Sequence, residues 1–262
     1  MTYIDGFVAA VPQENKQAYL DHVREALSLF KDHGATRMVE NWGDDVPVGK
    51  ATDFHRAVQK RDGEAVLFSW VEWPSKDVRD YGTKALEQDD RMKTLVMPFD
   101  GRRMIYGGFS PIVEEGSANG TGYVDGIAVP VPLANRAAYI NMASAMACLF
   151  REYGALRVVE GWGDDVPDGK ITDFRRAVDA REGEAIVFSW IEWPSKQVRG
   201  EAWPKLMTDP RMQPDKDKMP FDGQRMIYGG FATVLDAQRP NTAARSLRAR
   251  PNLCHASDAT SQ

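Results

Sequence analysis

Two glutamates, Glu72 and Glu192, each follow an aromatic run, Phe68-Ser-Trp70 and Phe188-Ser-Trp190, and each precedes a further tryptophan, Trp73 and Trp193. In an extended strand residues two apart share a face, so Glu72 lies with Val66, Phe68 and Trp70. If that face is interior, burial disfavours the charged carboxylate and raises its pKa, as a general base near neutral pH requires. Glu72 and Glu192 are therefore the candidate catalytic residues. The competing reading is a charged residue at a strand end that pairs with Arg37, Arg56 or Lys76 and has only a structural role. An acidic and aromatic constellation accompanies each glutamate, with Glu40, Trp42, Asp44 and Asp45 in one case and Glu160, Trp162, Asp164 and Asp165 in the other. Candidate substrate contacts are Trp42, Trp70 and Tyr106, with Arg37 or Arg56 holding an anion, and their counterparts Trp162, Trp190, Tyr228, Arg157 and Arg176.

Other chemistries find less support. Asp44 and Asp45 with Asp53 offer oxygen ligands of the kind a hard cation takes, but their spacing matches no calcium loop, so no metal is expected. His22, His33 and His55 correspond to Met142, Tyr153 and Arg175, so no histidine site can be built twice. Tyr106-Gly-Gly and Tyr228-Gly-Gly lack the spacing of a phosphate loop and suggest a close backbone approach instead. No cofactor is expected.

What must position these residues is a repeat. Tyr3-Ile-Asp-Gly returns as Tyr123-Val-Asp-Gly; Glu40-Asn-Trp-Gly-Asp-Asp-Val-Pro returns from Glu160, and Phe68-Ser-Trp-Val-Glu-Trp-Pro-Ser-Lys from Phe188. After a two-residue insertion, Met97-Pro-Phe-Asp-Gly and Arg103-Met-Ile-Tyr-Gly-Gly-Phe return from Met219 and Arg225. The chain is a tandem duplication of one domain. Units at 1–113 and 122–236 flank a Gly-rich and polar linker at 114–121. The segment 237–262 sets four arginines against Asp258, lacks apolar periodicity and reads as a disordered basic tail.

Within one unit, Tyr3 to Val11 reads as a strand and Asn15 to about His33 as an amphipathic helix with Tyr19, Val23, Ala26, Leu27 and Phe30 on one face. Thr36 to Trp42 is a second strand, the segment after Thr52 reads as a short helix capped by that residue or as a strand, Ala65 to Trp73 is a third strand, Pro74-Ser75 opens a helix to Met92, and Arg102 to Phe109 is the last strand. The order β-α-β-β-α-β is the ferredoxin-like pattern, an α+β class with helices on one sheet face. The strand from Ala65 to Trp73 is apolar at both parities, so its other face also needs cover. The duplication supplies a second sheet, and the two are expected to pack face to face as an internal pseudo-dimer.

The units also differ. The outward positions Asp21, Glu25 and Ser28 of the first helix become Asn141, Ala145 and Cys148, which points to self-association through the apolar helix at 139–150. Pro204 falls inside the second unit's later helix and should kink or break it.

These repeated motifs resemble the bacterial YbaA-like proteins, a domain family of unknown function, over nearly all of each copy. The resemblance implies the dimeric α+β barrel fold. The wider superfamily holds cofactor-free monooxygenases, isomerases, haem-degrading enzymes and stress-response proteins, so fold alone does not select an activity.

The 262 residues carry a net charge of −5, with the tail basic and the body correspondingly acidic, which argues against a nucleic-acid surface. The two cysteines, Cys148 and Cys254, suggest a reduced intracellular protein; neither a signal peptide nor a membrane span is visible, and a cytoplasmic location is expected. The expected function is binding of a small apolar or aromatic molecule, with cofactor-free isomerisation or mono-oxygenation if catalysis occurs. The alternative is a non-catalytic stress-response or assembly protein whose repeated motifs are structural.

Overall fold

The computed structural model describes residues 2–117, 120–212 and 219–238. Each unit repeats one set of elements. The first has strands β1 (Tyr3–Pro12), β2 (Arg37–Asp45), β3 (Glu64–Trp73) and β4 (Ile105–Gly116), with helices α1 (Lys16–Asp32), α2 (Phe54–Ala57), α3 (Lys76–Gln88) and α4 (Asp90–Thr94). The second has β5 (Tyr123–Pro132), β6 (Arg157–Asp165), β7 (Glu184–Trp193) and β8 (Ile227–Gln238), with α5 (Arg136–Glu152), α6 (Phe174–Ala177) and α7 (Lys196–Thr208). Within a unit the strands lie in the order β4-β1-β3-β2, the expected ferredoxin-like arrangement.

The two sheets face one another as expected, and they also join at both edges. β2 pairs antiparallel with β8 and β4 with β6, which closes one eight-stranded barrel. This joint explains two departures from the sequence reading. β4 and β8 run past Phe109 and Phe231 because their later residues pair with the other unit, as Glu114 does with Val159 and Asp236 with Val39. The expected linker therefore loses residues 114–116 to β4, and the expected tail loses Ala237 and Gln238 to β8; residues 239–262 lie outside the described ones.

The parity of β3 is decided as its composition demanded. Val66, Phe68 and Trp70 point into the barrel, where Phe68 stacks on Phe188 with ring centroids 4.5 Å apart and Trp70 on Trp190 at 4.3 Å. Leu67, Val71 and Trp73 point outward beneath α1 and α3. Gly6 and Gly126 of the repeated Tyr-x-Asp-Gly motif lie against these rings: a Cβ on Gly6 would stand 2.7 Å from the Phe188 ring. Gly108 and Gly230 pass equally close beneath the rings of Tyr3 and Tyr123, so the Tyr-Gly-Gly stretches are close backbone approaches.

Several local details differ from expectation. Asp53, not Thr52, caps α2, accepting from the Arg56 amide. The helix opened by Ser75 ends at Gln88, and Asp89 starts the separate α4. α7 runs unbroken through Pro204; Ala202 and Leu206, buried on either side of it, hold the helix against the sheet. Cys254, on which the cysteine reading also rests, lies outside the described residues. Among the described residues no helix is long and apolar enough to cross a membrane.

Candidate functional site

Strand register splits the acidic constellation between two places. Arg37 stands opposite Glu72 in the β2–β3 ladder and points inward, whereas Glu40 stands opposite Ser69 and points outward. The two glutamates thus occupy opposite faces of one sheet.

At the inward place, Arg37, Glu72, Arg157 and Glu192 meet where the units join. Arg37 donates through Nη2 to Glu192 Oε2 at 2.8 Å and through Nη1 to Glu72 Oε1 at 3.2 Å; Arg157 donates to Glu72 Oε1 at 2.6 Å. Trp70 and Trp190 add indole N–H bonds to Glu72 and Glu192. Asp236, Glu114 and Thr121 complete the shell. Thr121, expected in the linker, donates its hydroxyl to Glu192 Oε2.

This arrangement reverses the expected titration. Burial pushes Glu72 and Glu192 up, but Arg157 and Arg37 on Glu72, and Arg37 and Arg157 on Glu192, more than offset it and hold both below the usual glutamate value. Both stay ionised and paired, so neither has the raised pKa expected of a general base. Arg37 and Arg157 are committed to these carboxylates, and Trp70 and Trp190 fill the barrel.

The remaining predicted contacts are dispersed. Arg56 and Arg176 brace their own loops, donating to the carbonyls of Gly49 and Gly169. Trp42 and Trp162 lie on the outer sheet face beneath Lys16 and Arg136. Tyr106 and Tyr228 are half exposed. The Gly-Asp-Asp motif forms a latch across the joint: Asp44 accepts from Tyr123 and pairs with Lys196, Asp45 pairs with Arg199, and Asp164 and Asp165 engage Tyr3 and Arg79 in the same way. Among the described residues no cluster suited to a metal occurs.

The outward place is a cavity of about 220 Å³ between the β-sheet and α1, closed at one end by residues 92–104. Its walls are Phe7, Phe30, Met38, Met92, Leu95 and Phe99, and its polar groups are Glu40, Tyr19, Ser69 and His22. Tyr19 donates its hydroxyl to Glu40 Oε2 at 2.6 Å, and Ser69 donates to the same oxygen. Glu40 Oε1 makes no hydrogen bond among the described residues. Burial is the largest influence on this carboxylate, and despite the two hydroxyl bonds its pKa is pushed up to about 7. The second unit repeats the acid: Tyr139 donates to Glu160 at 2.7 Å, and burial pushes Glu160 up to about 7 as well.

This site was only partly visible in sequence. Glu40 belonged to the constellation, and Tyr19 to the core face of α1, but nothing local joins positions 19, 40 and 69. The available signal was their recurrence at 139, 160 and 189.

The family model for "Protein of unknown function (DUF1428)" matches residues 2–101 and again residues 122–223. "Uncharacterized protein YbaA" of Escherichia coli strain K12 is 60% identical over 114 residues, covering 44% of this chain and 97% of that protein; the protein of the same name from Shigella flexneri matches equally. Among solved structures, a "putative monooxygenase" of Fusobacterium nucleatum superposes with a TM-score of 0.58 at 11% identity, over 91% of this chain and 94% of its own. An anthrone oxidase-like protein superposes with a TM-score of 0.55 at 14% identity, over 94% and 96%. At these identities the likeness is one of fold.

Proposed function

Because the chain belongs to the DUF1428 family and carries two of its domains in tandem, we propose its activity from the site itself: it binds a small apolar or aromatic molecule and exchanges a proton with it through Glu40. The observation that carries this reading is the unbonded Oε1 of Glu40 on the wall of an apolar cavity, on a carboxyl group whose pKa stands near 7. At that value the group is divided between acid and base at neutral pH, where general acid–base catalysis is most effective. Removing a proton from a carbon acid is the first step shared by cofactor-free isomerisation and cofactor-free oxygenation. The fold shared with an oxygenase-described neighbour and an oxidase-like one agrees with that class. Tyr19 and Ser69 then act as positioning residues that hold Oε2 and leave Oε1 to the ligand.

The non-catalytic alternative draws its support from the joint, which accounts for most repeated motifs, including Tyr-x-Asp-Gly, Gly-Asp-Asp and the paired Arg37–Glu72 and Arg157–Glu192. The joint makes no use of Glu40, Tyr19 or Ser69, which are repeated as well.

A general carbon-acid probe separates the two. 5-Nitrobenzisoxazole opens when a base removes its C3 proton, and an apolar pocket favours the step. The wild-type chain should accelerate opening, with a rate that rises as pH passes through about 7. Glu40→Gln combined with Glu160→Gln, its counterpart in the second unit, should lower that rate by about 10²-fold. An unchanged rate in this double variant, or no acceleration by the wild type, would count for the non-catalytic reading.

A further inference from the structure

The two units agree closely at their joint and diverge at the cavity wall. Across the repeat, the pocket residue His22 of α1 becomes Met142 of α5. His22 is held by one ring nitrogen: Nδ1 lies 3.0 Å from the carbonyl oxygen of Val96, in the segment that closes the cavity. A carbonyl can only accept, so Nδ1 carries the proton and the neutral ring presents Nε2 as an acceptor. Nε2 makes no hydrogen bond among the described residues. Burial is the main influence on the ring and lowers its pKa, which favours this neutral form.

The cavity therefore has two unfilled acceptors at separate points on an apolar wall. Tyr19 touches both groups: its hydroxyl bonds Glu40 Oε2 at 2.6 Å, and its ring centroid lies 6.3 Å from that of His22. The Phe99 ring stands at right angles to His22, its centroid 6.1 Å away, and fixes the imidazole from the loop side. In the second unit the methionine at 142 packs against that unit's core and offers no equivalent acceptor.

We propose that His22 is a specificity-determining contact of the first unit, which selects a flat apolar ligand carrying a hydrogen-bond donor at each end, one for Glu40 and one for His22. This rests on the cavity being a ligand site, as argued above, but it does not require Glu40 to act as a base. In the second unit Met142 removes this second acceptor, so the preference belongs to the first unit alone.

The test compares 2,6-dihydroxynaphthalene, which has a donor at each end, with 2-naphthol, which has one, by calorimetric titration. The wild type should bind the diol at its stronger site roughly 3- to 10-fold more tightly than 2-naphthol, the value of one additional hydrogen bond. His22→Met places the second unit's own residue in α1, so the fold should tolerate it. It should abolish the preference for the diol while leaving 2-naphthol binding in place. If His22→Met keeps the preference, or the wild type shows none, the assignment of His22 is overturned while the Glu40 reading stands or falls on its own assay. If neither compound binds the wild type, the assignment of His22 is likewise overturned, and the Glu40 reading is decided by the benzisoxazole assay.

Discussion

Glu40 and Glu72 are both buried carboxylates on neighbouring strands, and their surroundings send them in opposite directions. Glu72 faces two guanidiniums and remains charged, whereas Glu40 receives two neutral hydroxyls, which do not repay its desolvation. Their variants should differ accordingly. Glu72→Gln leaves Arg37 and Arg157 sharing Glu192 in a buried place, and removal of a buried partner of this kind costs about 3–5 kcal/mol, read from the urea midpoint. A loss below the effect of an ordinary surface substitution would contradict the pairing. For Glu40 and Glu160 the sign is reversed: a pKa raised from the ordinary glutamate value of 4.5 to about 7 means that the folded state holds protons the unfolded state has released. Stability should therefore fall as pH rises from 4.5 to 7, by roughly 3 kcal/mol for each group. His22, with its pKa lowered by burial, opposes this slope, so the measurement is the difference between wild type and the Glu40→Gln, Glu160→Gln double variant at pH 5 and pH 8. The double variant should gain on the wild type as pH rises. Strand parity made the burial of Glu72 legible from sequence, but the direction of its pKa depended on Arg157, 85 positions away in the other copy.

Among the elements, those set by local pattern were legible and those set by a partner were not. The 3.6-residue periodicity of α1 places Tyr19, Val23 and Ala26 in the core as expected, while Leu29 is buried in addition and Leu27 and Phe30 only partly; β1 is a strand as read, but it is buried on both faces because the barrel covers one and α1 the other. β4 and β8 extend beyond their hydrophobic stretch because the opposite unit supplies the missing ladder, information no single copy contains. The intact α7 is a case where tertiary packing prevails over a local signal. Pro204 has no N–H to donate to the carbonyl of Gly200 four residues earlier, and Gly200 itself weakens a helix interior. Burial of Ala202 and Leu206 and the bond from Trp203 to Asp125 offset these defects. The first unit has Asp80 and Lys84 at the equivalent positions. Pro204→Lys should therefore stabilise the chain by about 1–3 kcal/mol, seen as a higher urea midpoint with an unchanged slope. No gain would mean that the Gly200 carbonyl is already satisfied by other means.

At the scale of the molecule, the barrel interior belongs to neither unit. Ile4, Val39, Phe68, Trp70 and Phe109 interleave with Val124, Val159, Phe188, Trp190 and Phe231 in one core, and both rims are fastened by ladders and latches that cross between units. A covalent connection is thus not what holds the halves together; its role is to raise their local concentration. A protease site placed between Ser117 and Thr121 tests this. After complete cleavage the two fragments should still co-elute at the size of the intact chain, and unfolding should become dependent on protein concentration, as it is for any two-chain assembly. Adding Arg37→Ala and Arg157→Ala to the cleavable chain strips both guanidiniums from four buried carboxyl contacts at the joint, leaving Glu72 and Glu192 side by side and unpaired. That protein should separate or unfold on cleavage under conditions where the cleaved parent stays together. Cleaved fragments that part readily with all four residues in place would show that the joint depends on the connection and not on the shared core.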